Sequence, residues 1–98
     1  MEEVKKMGVR LVISGKVQHV GLQVRIEAAA KNLCLYGYVF NRSDGKVEVE
    51  VEGEKTKVQE LIERIKKGSY AKVDGVDIFW RLHQDKFTEF VIKISPGI

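Results

Sequence analysis

Residues 43–53 read SDGKVEVEVEG, and this stretch organises the fold predicted for the whole chain. Asp-Gly is a strong pair for the tight turn of a β-hairpin. After this pair, valine and glutamate alternate from residue 47 to residue 52, which predicts a strand over residues 46–52 with valines on a buried face and glutamates on an outward face. Gly53 ends the strand. The stretch therefore predicts the second strand of an antiparallel hairpin.

The residues before the hairpin predict a strand, a loop, a helix and a second strand. Residues 7–14 alternate, with Val9, Leu11 and Ile13 on one face. Apolar residues then recur at helical spacing and form one stripe: Leu22, Ile26, Ala29, Ala30 and Leu33. Residues 35–41 are rich in Tyr, Val and Phe, which is typical of a strand.

The residues after the hairpin predict a second helix and two more strands. The helix runs from about residue 54 to residue 67, and its apolar stripe is Val58, Leu61, Ile62 and Ile65. Gly68 suits its end, and a connector follows from Ser69 to Lys72. Residues 76–82 alternate again, and Phe90, Ile92 and Ile94 predict a short last strand.

The element order is β-α-β-β-α-β with one further short strand. Two helices with one apolar stripe each can bury those stripes on one face of a sheet. The sequence therefore predicts an α+β, ferredoxin-like sandwich, with two helices on one face of a mostly antiparallel sheet of four to five strands. We expect residues 1–98 to form a single domain. This fold serves many unrelated functions, so it decides little about activity.

Composition limits the partners, the metal sites and the cellular compartment expected for the protein. The formal net charge of +3 is too small to predict a nucleic-acid partner. A lone cysteine cannot form an internal disulfide, and we expect Cys34 to be buried and inert. His19 and His83 are isolated, so no metal site is predicted. The charged N-terminus and the lack of a long apolar run predict a cytoplasmic protein without a signal peptide or membrane partner. A monomer is expected.

The loop between the first strand and the first helix is the candidate functional feature. Residues 15–25 read GKVQHVGLQVR, with a glycine at each end of the turn and a basic residue beyond each one. A loop that opens into a helix N-terminus offers unpaired backbone N–H groups and a favourable dipole to an anion.

These residues resemble a known family. GKVQHVGLQ is similar to the acylphosphatase signature, Gly-x-Val-Gln-Gly-Val-x-Phe-Arg. The likeness continues at residues 37–41, GYVFN, where the family has Gly-Trp-Val-x-Asn. It continues again at residues 44–48, at residues 52–53 and at residues 71–74, which precede the strand with Trp80. The resemblance covers nearly the whole chain.

The resemblance implies an enzyme that hydrolyses acyl phosphates to a carboxylate and inorganic phosphate, without a metal or cofactor. The implied ligand is a small acyl phosphate, or a phosphate or sulfate anion, at residues 15–23. The loop positions implied to bind phosphate are Gly15, Lys16, Val17, Gln18, His19, Val20, Gly21 and Leu22. Asn41 stands where the family has the asparagine that orients the attacking water, and an amide can both accept from and donate to water.

Two positions depart from the signature in ways that bear on chemistry. Gln23 stands at the position of the arginine that clamps the phosphate, and His19 stands at a glycine. Leu22 replaces the signature's phenylalanine and keeps the packing. Histidine in such a loop either strains the turn or narrows the space that the backbone N–H groups leave for an anion. Alternatively, it offers a protonated imidazole to an anion at mildly acid pH.

Arg25 is an alternative source of the missing charge. Gln23 and Asn41 are 18 residues apart, the family's interval, whereas Arg25 would need an insertion and a compensating deletion. Two residues along a helix also turn a side chain by about 200°. A solvated charge on the helix surface is the simpler interpretation. Lys16 and Arg42 flank the loop and invite the same interpretation.

Three functions remain open from the sequence. The first is an acylphosphatase of low or altered activity, and the second is a non-enzymatic relative that keeps the fold to bind an anion or a partner. The third is a ferredoxin-like RNA-binding domain, which would need aromatic and basic residues on the open sheet face. The outward glutamates, Glu48, Glu50 and Glu52, disfavour the third.

Overall fold

A computed structural model describes residues 5–68 and 72–94 of the chain. The elements are β1 (Lys6–Lys16), α1 (Leu22–Asn32), β2 (Tyr36–Asn41), β3 (Val47–Glu54), α2 (Lys55–Lys67), β4 (Lys72–Leu82) and β5 (Phe90–Lys93). Most of the predicted connector that begins at Ser69 lies outside the described residues. No described helix is long and apolar enough to cross a membrane.

The strands form one sheet in the order β4-β1-β3-β2-β5. β3 pairs antiparallel with β1 and with β2, and β1 pairs antiparallel with β4. Among the described strands, only β5 pairs parallel with its neighbour, β2. Both helices cover one face of this sheet, so the predicted α+β, ferredoxin-like fold is confirmed.

The core lies between the helices and the sheet. The alternating valines and isoleucines of β1 and β3 meet the stripes of both helices there, as predicted; the fully covered members include Val9, Leu11, Ile13, Val47, Val49, Val51, Ile26, Val58 and Leu61. Phe90 of β5 joins the same cluster. The topology also brings the C-terminal ends of β1 and β2 and the N-terminus of α1 to one end of the molecule, because β1 and β2 both run antiparallel to β3.

Two expectations about single side chains were wrong. Cys34 is exposed, because the chain adopts a left-handed conformation there (φ 57°) just after α1 ends and turns the thiol outward. Its neighbours Leu33 and Leu35 are the residues that enter the core. Ile94 lies beyond the end of β5 and is 96% exposed, because the strand stops at Lys93.

The glutamates of β3 lie on the face opposite the helices, as predicted, but two of them are buried. Glu50 is 8% exposed and Glu52 is 1% exposed. The Arg81 guanidinium donates to both, with Nη2 2.6 Å from Glu50 Oε2 and Nη1 2.6 Å from Glu52 Oε2. The backbone N–H groups of Gln84 and Lys86 also donate to Glu52, at 2.8 and 2.7 Å. The expected solvated acidic surface is therefore a covered, hydrogen-bonded network.

Tyr38 completes this network on β2. Its hydroxyl lies 2.9 Å from Glu48 Oε2 and 3.0 Å from Glu50 Oε1, and its single proton can serve either carboxylate. Burial and these acidic neighbours raise the pKa of Tyr38 well above the usual range of a tyrosine.

Candidate active site

The loop between β1 and α1 is anchored at both ends by apolar side chains. Val17 is 1% exposed and Leu22 is 5% exposed, so both side chains belong to the core. Between them, Gln18 is half-buried, and His19, Val20 and Gly21 are exposed. Of the positions predicted to bind phosphate, Val17 and Leu22 therefore offer only their backbone to a ligand.

Gln18 ties the loop to the β2–β3 hairpin. Its Nε2 donates to the carbonyl oxygen of Arg42 at 2.7 Å and to that of Lys46 at 2.9 Å. The Arg42 N–H also donates to the Lys46 carbonyl oxygen and closes the hairpin turn. The side chain of Gln18 thus positions the loop against the residue that follows Asn41, a role that the sequence did not predict for it.

The loop backbone twice enters the left-handed region. His19 has φ 59° and Gly21 has φ 82°. A non-glycine residue rarely adopts such a φ, although histidine tolerates it better than most. His19 therefore occupies the strained backbone that the family signature assigns to glycine. At Gly21, a side chain would meet no atom within 4 Å, so only the positive φ favours glycine at this position.

Backbone N–H groups gather at the start of α1. Among the described residues, nothing accepts a hydrogen bond from the N–H groups of residues 19–24, and the first to bond back is that of Arg25, to the Gly21 carbonyl oxygen at 3.3 Å. α1 has no side-chain cap and no acidic residue in its first turn. A helix start of this kind carries partial positive charge and unpaired donors, so it suits an anion. Val24 belongs to this donor set, as the rule for first-turn N–H groups would have indicated.

Asn41 ends β2 at the same end of the molecule. It pairs with Val47 of β3, and strand alternation places its side chain on the helix-facing side with Val39. Its Oδ1 is buried and has no hydrogen-bond partner among the described residues. A buried acceptor without a donor costs about 1–3 kcal/mol, so this oxygen is the natural place for a donor such as a water molecule.

Gln23 and Arg25 point to different surroundings. Gln23, in the first turn of α1, is half-buried, and its side chain makes no hydrogen bond with a described residue. Arg25 is exposed and lines the groove between α1 and α2, which Gln23 does not line. This difference matches the rotation expected for residues two apart on a helix.

The two other basic residues near the loop have different surroundings. The Arg42 guanidinium lies 2.9 Å from Asp44 Oδ2 and 3.5 Å from Glu48 Oε1, so carboxylates of the hairpin engage its charge. Lys16 is exposed at the end of β1. Gly15 beside it has φ 123°, and a side chain there would collide with the Lys72 carbonyl oxygen. Contact with β4 therefore explains this glycine without a ligand.

Comparison with known proteins identifies the family of this fold and loop. The family model described as acylphosphatase matches residues 9–92. The chain belongs to the acylphosphatase family. An acylphosphatase of Caldanaerobacter subterraneus subsp. tengcongensis is 40% identical over 88 residues, which cover 89% of this chain and 98% of that protein. One from Acaryochloris marina is 49% identical over 70 residues, which cover 70% of this chain and 75% of that protein.

A solved acylphosphatase has the same fold. The crystal structure of acylphosphatase from Bacillus subtilis superposes with a TM-score of 0.85 at 31% sequence identity, and the match covers 89% of this chain and 98% of that one. Acyl phosphate hydrolysis is therefore a plausible activity for this member.

Proposed function

We propose that this acylphosphatase-family protein binds the phosphoryl group of small acyl phosphates at residues 15–23 and hydrolyses them slowly. The observation that carries the proposal is the set of backbone N–H groups of residues 19–24, which no described residue engages, beside the buried Oδ1 of Asn41. Donors fixed in the backbone need no reorganisation as charge develops on a phosphoryl oxygen.

In the proposed reaction a water molecule held by Asn41 attacks phosphorus. The new bond joins the water oxygen to phosphorus, and the bond between phosphorus and the acyl oxygen breaks. The acyl group leaves as a carboxylate with the bonding electron pair. One water proton remains on the phosphate product, and the other passes to solvent. A carboxylate is a stable leaving group, so the protein needs only to position the water and stabilise the phosphoryl charge.

Gln23 is the reason for the expected slow rate. A guanidinium would neutralise charge and donate two parallel hydrogen bonds to phosphate, whereas a glutamine amide offers neutral donors. Losing one pre-aimed donor at a developing charge costs roughly 3–4 kcal/mol, or about 10²–10³ in rate. The loss of a charged, bidentate group belongs at the upper end of this range.

A second function is a non-enzymatic domain that binds an anion or a partner. The observation favouring it is that both departures from the family signature, His19 and Gln23, fall within residues 15–23, the segment proposed to bind phosphate. The N–H cradle can hold an anion without turning it over.

The deciding experiment compares Gln23→Arg with the wild type in hydrolysis of benzoyl phosphate. We expect low turnover by the wild type and a gain of about 10²-fold or more in kcat/KM for the variant. Gln59→Arg is the matched control, and we expect it to leave wild-type turnover nearly unchanged because Gln59 lies at an exposed position of α2, away from residues 15–23. Binding of inorganic phosphate is measured beside both.

Each outcome separates the two functions. A typical family rate in the wild type would contradict the assigned effect of Gln23. Phosphate binding without turnover, in Gln23→Arg and in the double variant His19→Gly/Gln23→Arg alike, would favour the non-enzymatic domain. Absence of phosphate binding would exclude the cradle itself.

A further inference from the structure

A groove between α1 and α2 opens beside the phosphate loop. Its volume is about 870 Å³, within the range of roughly 300–1,000 Å³ for small-molecule sites. Gly21 and Leu22 line it at the loop end, so the groove and the N–H cradle share residues. The walls are mainly aliphatic and include Val24 and Ala28 of α1 and Ile65 of α2.

We propose that this groove receives the acyl group of the substrate and selects aliphatic acyl phosphates of medium chain length over acetyl phosphate. The inference rests on the proposed function, because the loop must hold the phosphate for the acyl group to reach the groove. The groove adds what the loop alone does not provide, a surface that contacts the acyl group and distinguishes one acyl group from another.

The direction of the reaction places the acyl group on the groove side. Attacking and leaving oxygens lie on opposite sides of phosphorus. Asn41, which would hold the water, ends β2, whereas Val73 of β4 contributes to the groove. Because β1 and β3 separate β2 from β4 in the sheet, the leaving carboxylate departs from Asn41 toward the groove.

The dimensions and chemistry of the groove suit an alkyl chain. Its α1 wall runs from Gly21 to Asn32, which is about 16 Å at 1.5 Å per residue. Val24 is 61% exposed, an apolar side chain that an acyl chain would cover. Arg64 and Lys67 line the α2 side, but each pairs with a glutamate one turn earlier. Exposed charges of this kind contribute little to interaction free energy because solvent screens them. Apolar contact therefore supplies the selectivity.

The test uses phosphonates, which bind without being hydrolysed, and follows the protein by NMR. Methylphosphonate and octylphosphonate should both shift the N–H signals of residues 19–24. Only octylphosphonate should shift the methyl signals of Val24 and Ala28. A fully buried methylene is worth up to about fourfold in affinity, and the groove is open on one side. We therefore expect octylphosphonate to bind on the order of 10–100-fold more tightly than methylphosphonate.

Two variants with the same added charge isolate the groove. Ala28→Glu places a carboxylate at an exposed position inside it, and Gln59→Glu does so at an exposed position of α2 outside it. Ala28→Glu should remove most of the gain for octylphosphonate and leave methylphosphonate binding unchanged. Gln59→Glu should change neither.

The remaining outcomes overturn the inference. Loop shifts with both phosphonates at equal affinity, without groove shifts, would leave the proposed function intact and refute the acyl groove. Groove shifts produced equally by octanol, without loop shifts, would separate the groove from the loop. If the methyl signals of the groove shift as the protein concentration rises, a second copy of the chain is the occupant. Absence of loop shifts with both phosphonates and with inorganic phosphate would overturn the proposed function and this inference together.

Discussion

At the scale of the residue, the two departures in the loop act through different physics. In the proposed reaction, Gln23 changes the charge presented to a phosphoryl group and leaves the helix backbone as it is. His19 changes the cost of a backbone conformation, because the loop holds it at φ 59°. The first effect belongs to the rate of the reaction and the second to the stability of the loop, so the two can be measured separately.

The strain at His19 predicts an unusual order of substitutions. His19→Val should lower the free energy of unfolding by about 1–2 kcal/mol, because a branched side chain is poorly tolerated at positive φ. His19→Gly should keep that free energy within about 1 kcal/mol of the wild type, since relief of strain offsets the added freedom of the unfolded chain. Urea unfolding measures both.

Gln59 provides the control for His19. It lies at an exposed helical position, where glycine should be worse than valine because of its low helix propensity. The order of the two substitutions should therefore reverse between positions 19 and 59. If valine is tolerated as well as glycine at position 19, the loop does not hold a left-handed residue there in solution.

At the scale of the element, Gln18 links the loop to the β2–β3 hairpin. The link is side chain to backbone, so it depends on one amide reaching two carbonyl groups. Asn41 precedes this hairpin turn directly. The distance between the N–H cradle and the residue proposed to hold water therefore depends on Gln18.

Removing this link should affect ligand binding as well as stability. Gln18→Leu loses two neutral hydrogen bonds and should lower the free energy of unfolding by about 1–3 kcal/mol. Because the freed loop must be ordered again by the ligand, affinity for inorganic phosphate should fall too, as calorimetry or NMR titration would show. Gln59→Leu is the control and should leave that affinity unchanged. An unaltered phosphate affinity in Gln18→Leu would show that the loop holds its shape without the hairpin.

The elements themselves were largely predictable from local patterns. Valine alternation placed β3, the Asp-Gly pair placed the hairpin, and apolar stripes placed both helices. The failures come from contacts that no local pattern records. Cys34 depends on how α1 ends, and the partners of Gln18 lie 24 and 28 residues away. For the site, the resemblance supplied Gln23 and Asn41, whereas the N–H donors followed from the rule for helix ends.

At the scale of the whole molecule, the glutamates of β3 connect distant parts of the chain. Burial opposes ionisation of Glu52, but hydrogen bonds from Arg81 and from the N–H groups of Gln84 and Lys86 outweigh it and lower the pKa of Glu52 to about 2. Glu52 thereby holds the segment from Arg81 to Lys86 over the sheet face, and Glu50 also binds Arg81.

This depressed pKa predicts a specific loss of stability in acid. An ionised Glu52 stabilises the folded state above the pKa of an unfolded glutamate, and this contribution disappears as the pH falls from about 4.5 toward 2. The shift corresponds to on the order of 3 kcal/mol. Urea unfolding of wild type and Glu52→Gln should differ most near pH 7, and the difference should shrink as the pH falls through this window.

An exposed carboxylate supplies the comparison for Glu52. Glu63 pairs with Lys67 on the surface of α2, and Glu63→Gln should have little effect on stability at either end of the pH range. Parallel pH profiles for wild type and Glu52→Gln would contradict the assigned role of Glu52.

The same network sets a sequence of events during translation. Glu52 leaves the ribosome before its hydrogen-bond partners, and Lys86 follows it 34 residues later. At about 5–20 residues per second, this interval lasts roughly 2–7 s. Until Arg81 emerges, Glu52 of this central strand has none of these hydrogen-bond partners. The sheet face therefore closes only after residues 81–86 have been made, and a chain truncated before Arg81 cannot complete this network.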